Sequence, residues 1–132
     1  METLKNKTVL IADDDIDILT QLNLQCTNLG MKVLTAETQH EAEEIIEKTK
    51  PDIAIFDLMM DNRDSGFILS YKLKKKYPDV PVIIVTAVTA DTGMIFGEDF
   101  NEEKSWIKAD LYLEKGLRPE QLQSEMKRLL KL

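Results

Sequence analysis

One cysteine, one histidine and one tryptophan are all that the 132-residue chain contains of those types. Lone Cys26 excludes an intramolecular disulfide, and its place on the apolar side of a helical pattern makes it a core thiol. His40, beside Glu41, reads as an exposed surface residue. Basic residues are also short, 17 against 24 acidic for a net charge of -7, which argues against nucleic acid as a direct partner because phosphate contacts need a basic face. The one basic cluster, Lys72, Lys74, Lys75 and Lys76, reads as the solvated end of a helix. Long apolar runs are missing: Met1 to Lys7 is polar, no signal-peptide core follows, and the stretch Val80 to Val88 is broken by Pro81 and Thr86. Membrane insertion is therefore not expected, and the default location is the cytoplasm. No G-x-x-x-x-G-K-[ST], G-x-G-x-x-G or G-x-S-x-G pattern occurs, so nucleotide hydrolysis, dinucleotide binding and serine esterase chemistry lose their usual support.

What is present is a regular alternation of strand and helix signals. Val9 to Ala12, Ile53 to Phe56, Val82 to Val85 and Leu111 to Leu113 are short apolar runs suited to strands buried on both faces, and Met31 to Ala36 supplies a fifth. Ile18, Leu22, Cys26 and Leu29 recur at helical spacing, with Gly30 as the stop. Thr38 and Glu41 form a capping-box pattern ahead of Ala42, Ile45 and Ile46, and Pro51 closes that helix. Met59 to Gly66 is polar and turn-forming; Phe67, Ile68, Tyr71 and Leu73 then mark a third helix ending before Pro78. Between Thr86 and Lys115 the periodicity is poor, with Gly93 and Gly97 interrupting a fourth helix. Pro119 opens a final helix through Leu122, Met126, Leu129 and Leu130. With no internal repeat or linker, residues 1–132 are expected to form one domain. The expected architecture is α/β, a doubly wound five-stranded parallel sheet of flavodoxin-like (βα)5 type with strand order 2-1-3-4-5.

In such a sheet the C-terminal strand ends converge, and the polar residues at those ends are Asp13, Asp14 and Asp15, then Asp57, Thr86 and Lys115. Crowded carboxylates repel unless a cation sits among them, and all-oxygen donors without His or Cys favour a hard ion, Mg2+ over a fully caged Ca2+. Lys115 and Thr86 add a compact positive charge and a hydroxyl, the groups that neutralise phosphoryl oxygens, and a central aspartate is a candidate acceptor. Taken singly, Asp13 or Asp14 also suits a helix N-cap, and Thr86 is an ordinary strand former.

The stretches Val9-Leu-Ile-Ala-Asp-Asp-Asp-Ile-Asp-Ile-Leu19, Pro51-Asp-Ile-Ala-Ile-Phe-Asp-Leu-Met-Met60, Val82-Ile-Ile-Val-Thr-Ala87 and Ala109-Asp-Leu-Tyr-Leu-Glu-Lys115 together resemble the receiver domain of two-component response regulators over almost the whole chain. The resemblance implies that Asp57 is the phosphoacceptor, Asp14 a direct Mg2+ ligand, Asp13 a ligand acting mainly through water, and the Met59 backbone carbonyl a further ligand. It implies that Thr86 and Lys115 grip the phosphoryl oxygens and that Tyr112 turns inward when Thr86 moves. The implied partners are a sensor histidine kinase or histidine phosphotransfer protein upstream and a protein target downstream. The implied device is a signalling protein, not an enzyme, that promotes its own phosphorylation and dephosphorylation and shifts the face of its fourth and fifth elements. With the last helix reaching the C-terminus, a stand-alone receiver is expected. The alternative is a receiver-like interaction module acting without phosphorylation; a flavodoxin-type cofactor carrier is disfavoured because Asp13 to Asp15 repel a bound phosphate.

Departures from the family pattern are Gly116 where proline usually follows the lysine, often through a cis bond that costs a non-proline residue about 3 kcal/mol. Asp61 stands where proline is common, adding a carboxylate beside the acceptor, and the loop to Gly66 is one residue longer. The crossover to Lys115 is also longer, and it carries Trp106, read either as a core residue of the fourth helix or as part of the moving surface.

Overall fold

A computed structural model describes residues 4–86, 109–116 and 118–132. Its strands are β1 (Thr8–Ala12), β2 (Lys32–Ala36), β3 (Ile53–Asp57), β4 (Val82–Thr86) and β5 (Leu111–Glu114). The helices among the described residues are α1 (Ile16–Asn28), α2 (Gln39–Lys48), α3 (Ser65–Lys76) and α4 (Pro119–Leu130). The expected helix between Thr86 and Lys115, with Gly93, Gly97 and Trp106, lies outside the described residues.

All pairings are parallel, in the order β2-β1-β3-β4-β5. This is the doubly wound arrangement that the alternating signals predict, and both faces of the sheet are covered. Strand side chains alternate between two apolar layers. Val9, Ile11, Ile53, Ile55, Ile83 and Val85 pack with Leu19, Leu22 and Cys26 of α1 and with Leu122 and Met126 of α4. Leu10, Ala12, Ala54, Phe56, Val82 and Ile84 face the other way, against Ala42 and Ile46 of α2 and Phe67, Leu69 and Leu73 of α3. Cys26 is fully buried, and burial pushes its thiol up to about 12, as a core thiol requires.

Local chemistry sets the element ends. Gly30, at φ +83°, closes α1 in a Schellman arrangement: its N–H donates to Thr27 O at 2.9 Å and that of Met31 to Cys26 O at 3.1 Å. Thr38 caps α2 by accepting from Glu41 N at 3.1 Å, but the Glu41 carboxylate reaches back to Glu37 N, one residue beyond the usual capping-box partner. The lysine cluster at the end of α3 is largely paired with acids: Lys72 Nζ lies 2.7 Å from Glu43, Lys74 Nζ 2.7 Å from Asp110, and Lys76 Nζ 3.4 Å from Glu47. Asp110 also accepts from Val82 N at 2.8 Å, tying the starts of β4 and β5 to α3 at the sheet's N-terminal edge.

Candidate functional site

At the opposite edge the backbone ladder runs on past the strand ends. Asp13 N donates to Ala36 O at 3.1 Å, Leu58 N to Val85 O at 2.9 Å, and Lys115 N to Thr86 O at 2.9 Å. Each chain is therefore still held where its polar residue leaves the sheet, and side chains from three separate strand ends meet.

Asp13, Asp14 and Asp57 each present a carboxylate oxygen within 4.8 Å of the other two. Asp13 and Asp57 are buried, whereas Asp14 is exposed, so the cluster opens to solvent on one side. Lys115 Nζ reaches into it, 3.2 Å from Asp57 Oδ1 and 3.3 Å from Asp13 Oδ2. Asp13 Oδ1 accepts from Asp15 N at 2.9 Å, but its buried Oδ2, although near the ammonium, has no hydrogen-bond partner among the described residues. Burial, then the neighbouring Asp13 carboxylate, raises the Asp57 carboxyl to about 7 against the opposing pull of Lys115. Burial works against charge on Lys115, yet Asp57 and Asp13 outweigh it and hold the ammonium above the usual lysine value. A hard divalent cation fits this donor set: three carboxylates converge, one of them with a buried oxygen lacking a hydrogen bond, and no nitrogen or sulfur donor is among them.

Thr86 is buried at the end of β4, beside Asp57 in register terms since Asp57 pairs with Val85. Tyr112 is half-buried on β5, its ring edge-on to Phe67 at 6.4 Å and 77°. Burial, with Asp110 nearby, raises its phenol to about 12. Met59 is exposed in the loop just beyond Asp57.

Four local features differ from expectation or escape it. The N-cap of α1 is Asp15, which accepts from Asp17 N and Ile18 N, leaving Asp13 and Asp14 for the pocket. Asp61 does not join the acidic cluster: its Oδ1 accepts from Gln39 N at 3.3 Å, at the start of α2. The Lys115–Gly116 bond is trans, and Gly116 makes its turn at φ +89°, a conformation glycine adopts without a Cβ clash. Gly66 gave no sequence signal beyond ending a turn, yet a Cβ there would stand 2.7 Å from Asp57 O and 2.8 Å from Leu58 Cα. Only glycine lets α3 approach the acceptor strand so closely.

A parallel α/β sheet that gathers three carboxylates and a lysine at its C-terminal edge carries them where sheets of this class place their ligand sites. Residues 9–127 match the family model for the response regulator receiver domain, and the chain belongs to that family. It is 30% identical over 127 residues to the phosphate regulon transcriptional regulatory protein PhoB of Pseudomonas aeruginosa, covering 95% of this chain and 52% of that one. A CheY-like response regulator receiver domain protein from Methanospirillum hungatei superposes with TM-score 0.79 at 26% identity, over 96% of this chain and 95% of that one. The receiver domain of a sensor histidine kinase from Pseudomonas aeruginosa, which holds a magnesium ion in its active-site cleft, shares the fold with TM-score 0.78 at 19% identity, over 96% and 99% of the two chains. The chain spans about half the length of PhoB and of several other curated relatives named as transcriptional regulators, so transcriptional regulation is named for those longer proteins, whereas this chain's charge predicts no direct contact with nucleic acid. Among the described residues no helix is long and apolar enough to cross a membrane.

Proposed function

We propose that residues 1–132 form one receiver domain working as a phosphoacceptor switch in a two-component phosphorelay, with Asp57 as the acceptor. The observation that carries this reading is the convergence of Asp13, Asp14 and Asp57 within 4.8 Å, with Lys115 Nζ 3.2 Å from Asp57. In it, an Asp57 oxygen attacks the phosphorus of a phosphohistidine on a sensor histidine kinase or histidine phosphotransfer protein. The P–N bond breaks, the imidazole leaves, and an acyl phosphate forms on Asp57. Asp13, Asp14, Asp57 and the Met59 carbonyl are the residues that would hold Mg2+, which when bound neutralises charge on the transferring group. Lys115 exchanges its contact with the Asp57 carboxylate for one with a phosphoryl oxygen, and the Thr86 hydroxyl donates to another. Tyr112 follows Thr86, and the altered face engages a downstream protein target. The same pocket lets water hydrolyse the acyl phosphate, so the protein promotes both its phosphorylation and its dephosphorylation. The proposed setting is the cytoplasm, without direct nucleic-acid contact by this chain: its net charge is -7, and Lys72, Lys74 and Lys76 are paired with acids.

Incubation with acetyl phosphate and Mg2+, followed by intact-mass measurement, tests the assignment. One phosphoryl adduct is expected on the wild type and none on Asp57→Asn. An adduct that persists in Asp57→Asn would refute the acceptor, and no adduct on the wild type would favour the interaction module acting without phosphorylation.

A further inference from the structure

Among the described residues, the loop that leaves Asp57 is tied to one residue on a different element. Gln39, the first residue of α2, donates through its backbone N to Asp61 Oδ1 at 3.3 Å. Its side-chain Oε1 accepts from Asn62 Nδ2 at 3.0 Å and from Ser65 Oγ at 2.8 Å. Its Nε2 donates to Glu43 Oε2 at 2.9 Å, and the same Glu43 oxygen receives Lys72 Nζ of α3 at 2.7 Å. One amide thus joins α2, the loop and α3. The loop's own contacts are short-range: Met60 N to Asn62 O at 3.1 Å, and Asn62 N to Ser65 Oγ at 3.0 Å. The α3 N-cap, Asp64, makes no side-chain capping bond, so the start of that helix is not fixed by the usual local device. Ser65 is fully buried, and Gln39 is the partner its hydroxyl finds outside the loop.

We propose that Gln39 is a positioning residue for the acidic pocket: it holds the Met59–Ser65 loop so that the loop's oxygen stands ready beside Asp13, Asp14 and Asp57. The inference rests on the phosphoacceptor reading and deepens it. A pocket whose donors come from rigid strand ends and from one loop is only as ordered as that loop. Partners that orient a metal's ligands without touching the metal typically account for about 10-fold or more in affinity. Here no proline stiffens the loop at Asp61, and the clasp supplies the order by hydrogen bonds instead.

The test uses Mn2+ as the probe on the full chain, with free Mn2+ followed by electron paramagnetic resonance, amide hydrogen exchange at Met60 and Ser65, and thermal unfolding without metal. Gln39→Met keeps the length and helix preference and removes the side-chain bonds. It should weaken Mn2+ roughly 10-fold and accelerate exchange at both amides, with one cooperative unfolding transition retained at a modestly lower temperature, since three side-chain bonds are lost. Asn62→Ala, at an exposed position, removes one of the bonds and should give a smaller loss, and the double variant should lose less than the product of the two because they share a contact. Faster exchange with unchanged Mn2+ affinity in both variants would make the clasp purely structural and overturn the proposal. Unchanged exchange would overturn it too, since the loop then needs no clasp. Wild type that takes up no Mn2+, or takes it up equally after Asp14→Ala, would overturn the phosphoacceptor reading along with it, an outcome distinct from failure of the clasp alone.

Discussion

Replacing Asp57 by asparagine should stabilise the metal-free protein, by an amount that grows with pH. In the folded chain the Asp57 carboxyl is raised from 3.8 to about 7, burial being the largest cause and the Asp13 carboxylate the next. An acid whose folded pKa lies above its unfolded one binds its proton more tightly when folded. Its contribution is intact below about pH 4, falls as pH rises, and is fully lost above about pH 7. A shift of about three units corresponds to a ceiling near 4 kcal/mol at 1.36 kcal/mol per unit. The asparagine variant recovers less, because Lys115 loses a counter-charge 3.2 Å away while keeping Asp13 at 3.3 Å. About 2 kcal/mol at pH 8 is therefore expected, or roughly 6–10 °C in unfolding temperature for a domain of this size. Urea denaturation in EDTA at pH 4, 5, 6, 7 and 8, wild type beside Asp57→Asn, reads the pocket's contribution, since titrations away from the pocket are common to both. The stability gap should open from about pH 4 and level off above about pH 7. A gap independent of pH, or a variant less stable than wild type at pH 8, would refute the argument that the pocket carries unfavourable charge in the absence of metal.

Asp14→Ala should abolish Mg2+ binding by calorimetry while metal-free stability holds or rises, because one of three crowded carboxylates is gone; unchanged Mg2+ affinity would place the metal elsewhere. Gly66→Ala should cost about 1–3 kcal/mol by overpacking despite alanine's better helix propensity, and should slow phosphorylation of Asp57 as the strand end is pushed aside. Full stability and an unchanged rate would mean that α3 relaxes freely. Asp110→Ala should cost about 1–3 kcal/mol in urea, leaving Val82 N and Lys74 without their shared partner, yet leave Mg2+ affinity untouched because it acts at the far edge of the sheet. A loss of Mg2+ affinity in that variant would contradict the separation of the two edges.

The strands were legible because runs such as Ile53 to Phe56 are apolar on both faces, and only a sheet covered on both sides buries every residue of such a run. Gly30 was legible as a stop because its position alone meets the need for a left-handed residue there. The pocket was partly legible: polar residues ending apolar runs mark the carboxyl edge of a parallel sheet, and Asp13, Asp57 and Lys115 do meet there. Which of three successive aspartates caps α1 was not legible, since all three have the chemistry and only the backbone path selects Asp15. Asp61 was misplaced beside the acceptor for a related reason, because a loop's side-chain directions depend on partners distant in sequence, in this case Gln39. The close approach at Gly66 is likewise a tertiary fact with no local pattern.

Among the described residues, the two apolar layers on either side of the sheet share no side chain; the strands themselves form the partition. A cavity opened under α1 or α4 is therefore separated from α2 and α3 by a full thickness of backbone. Combinatorial libraries that repack one layer can be selected alone, and the best solutions of each joined in one chain with their free energies nearly additive. A designer wanting a hotter or a softer version of this protein has two separate dials, provided Gly66, where α3 touches the acceptor strand, is left as it is.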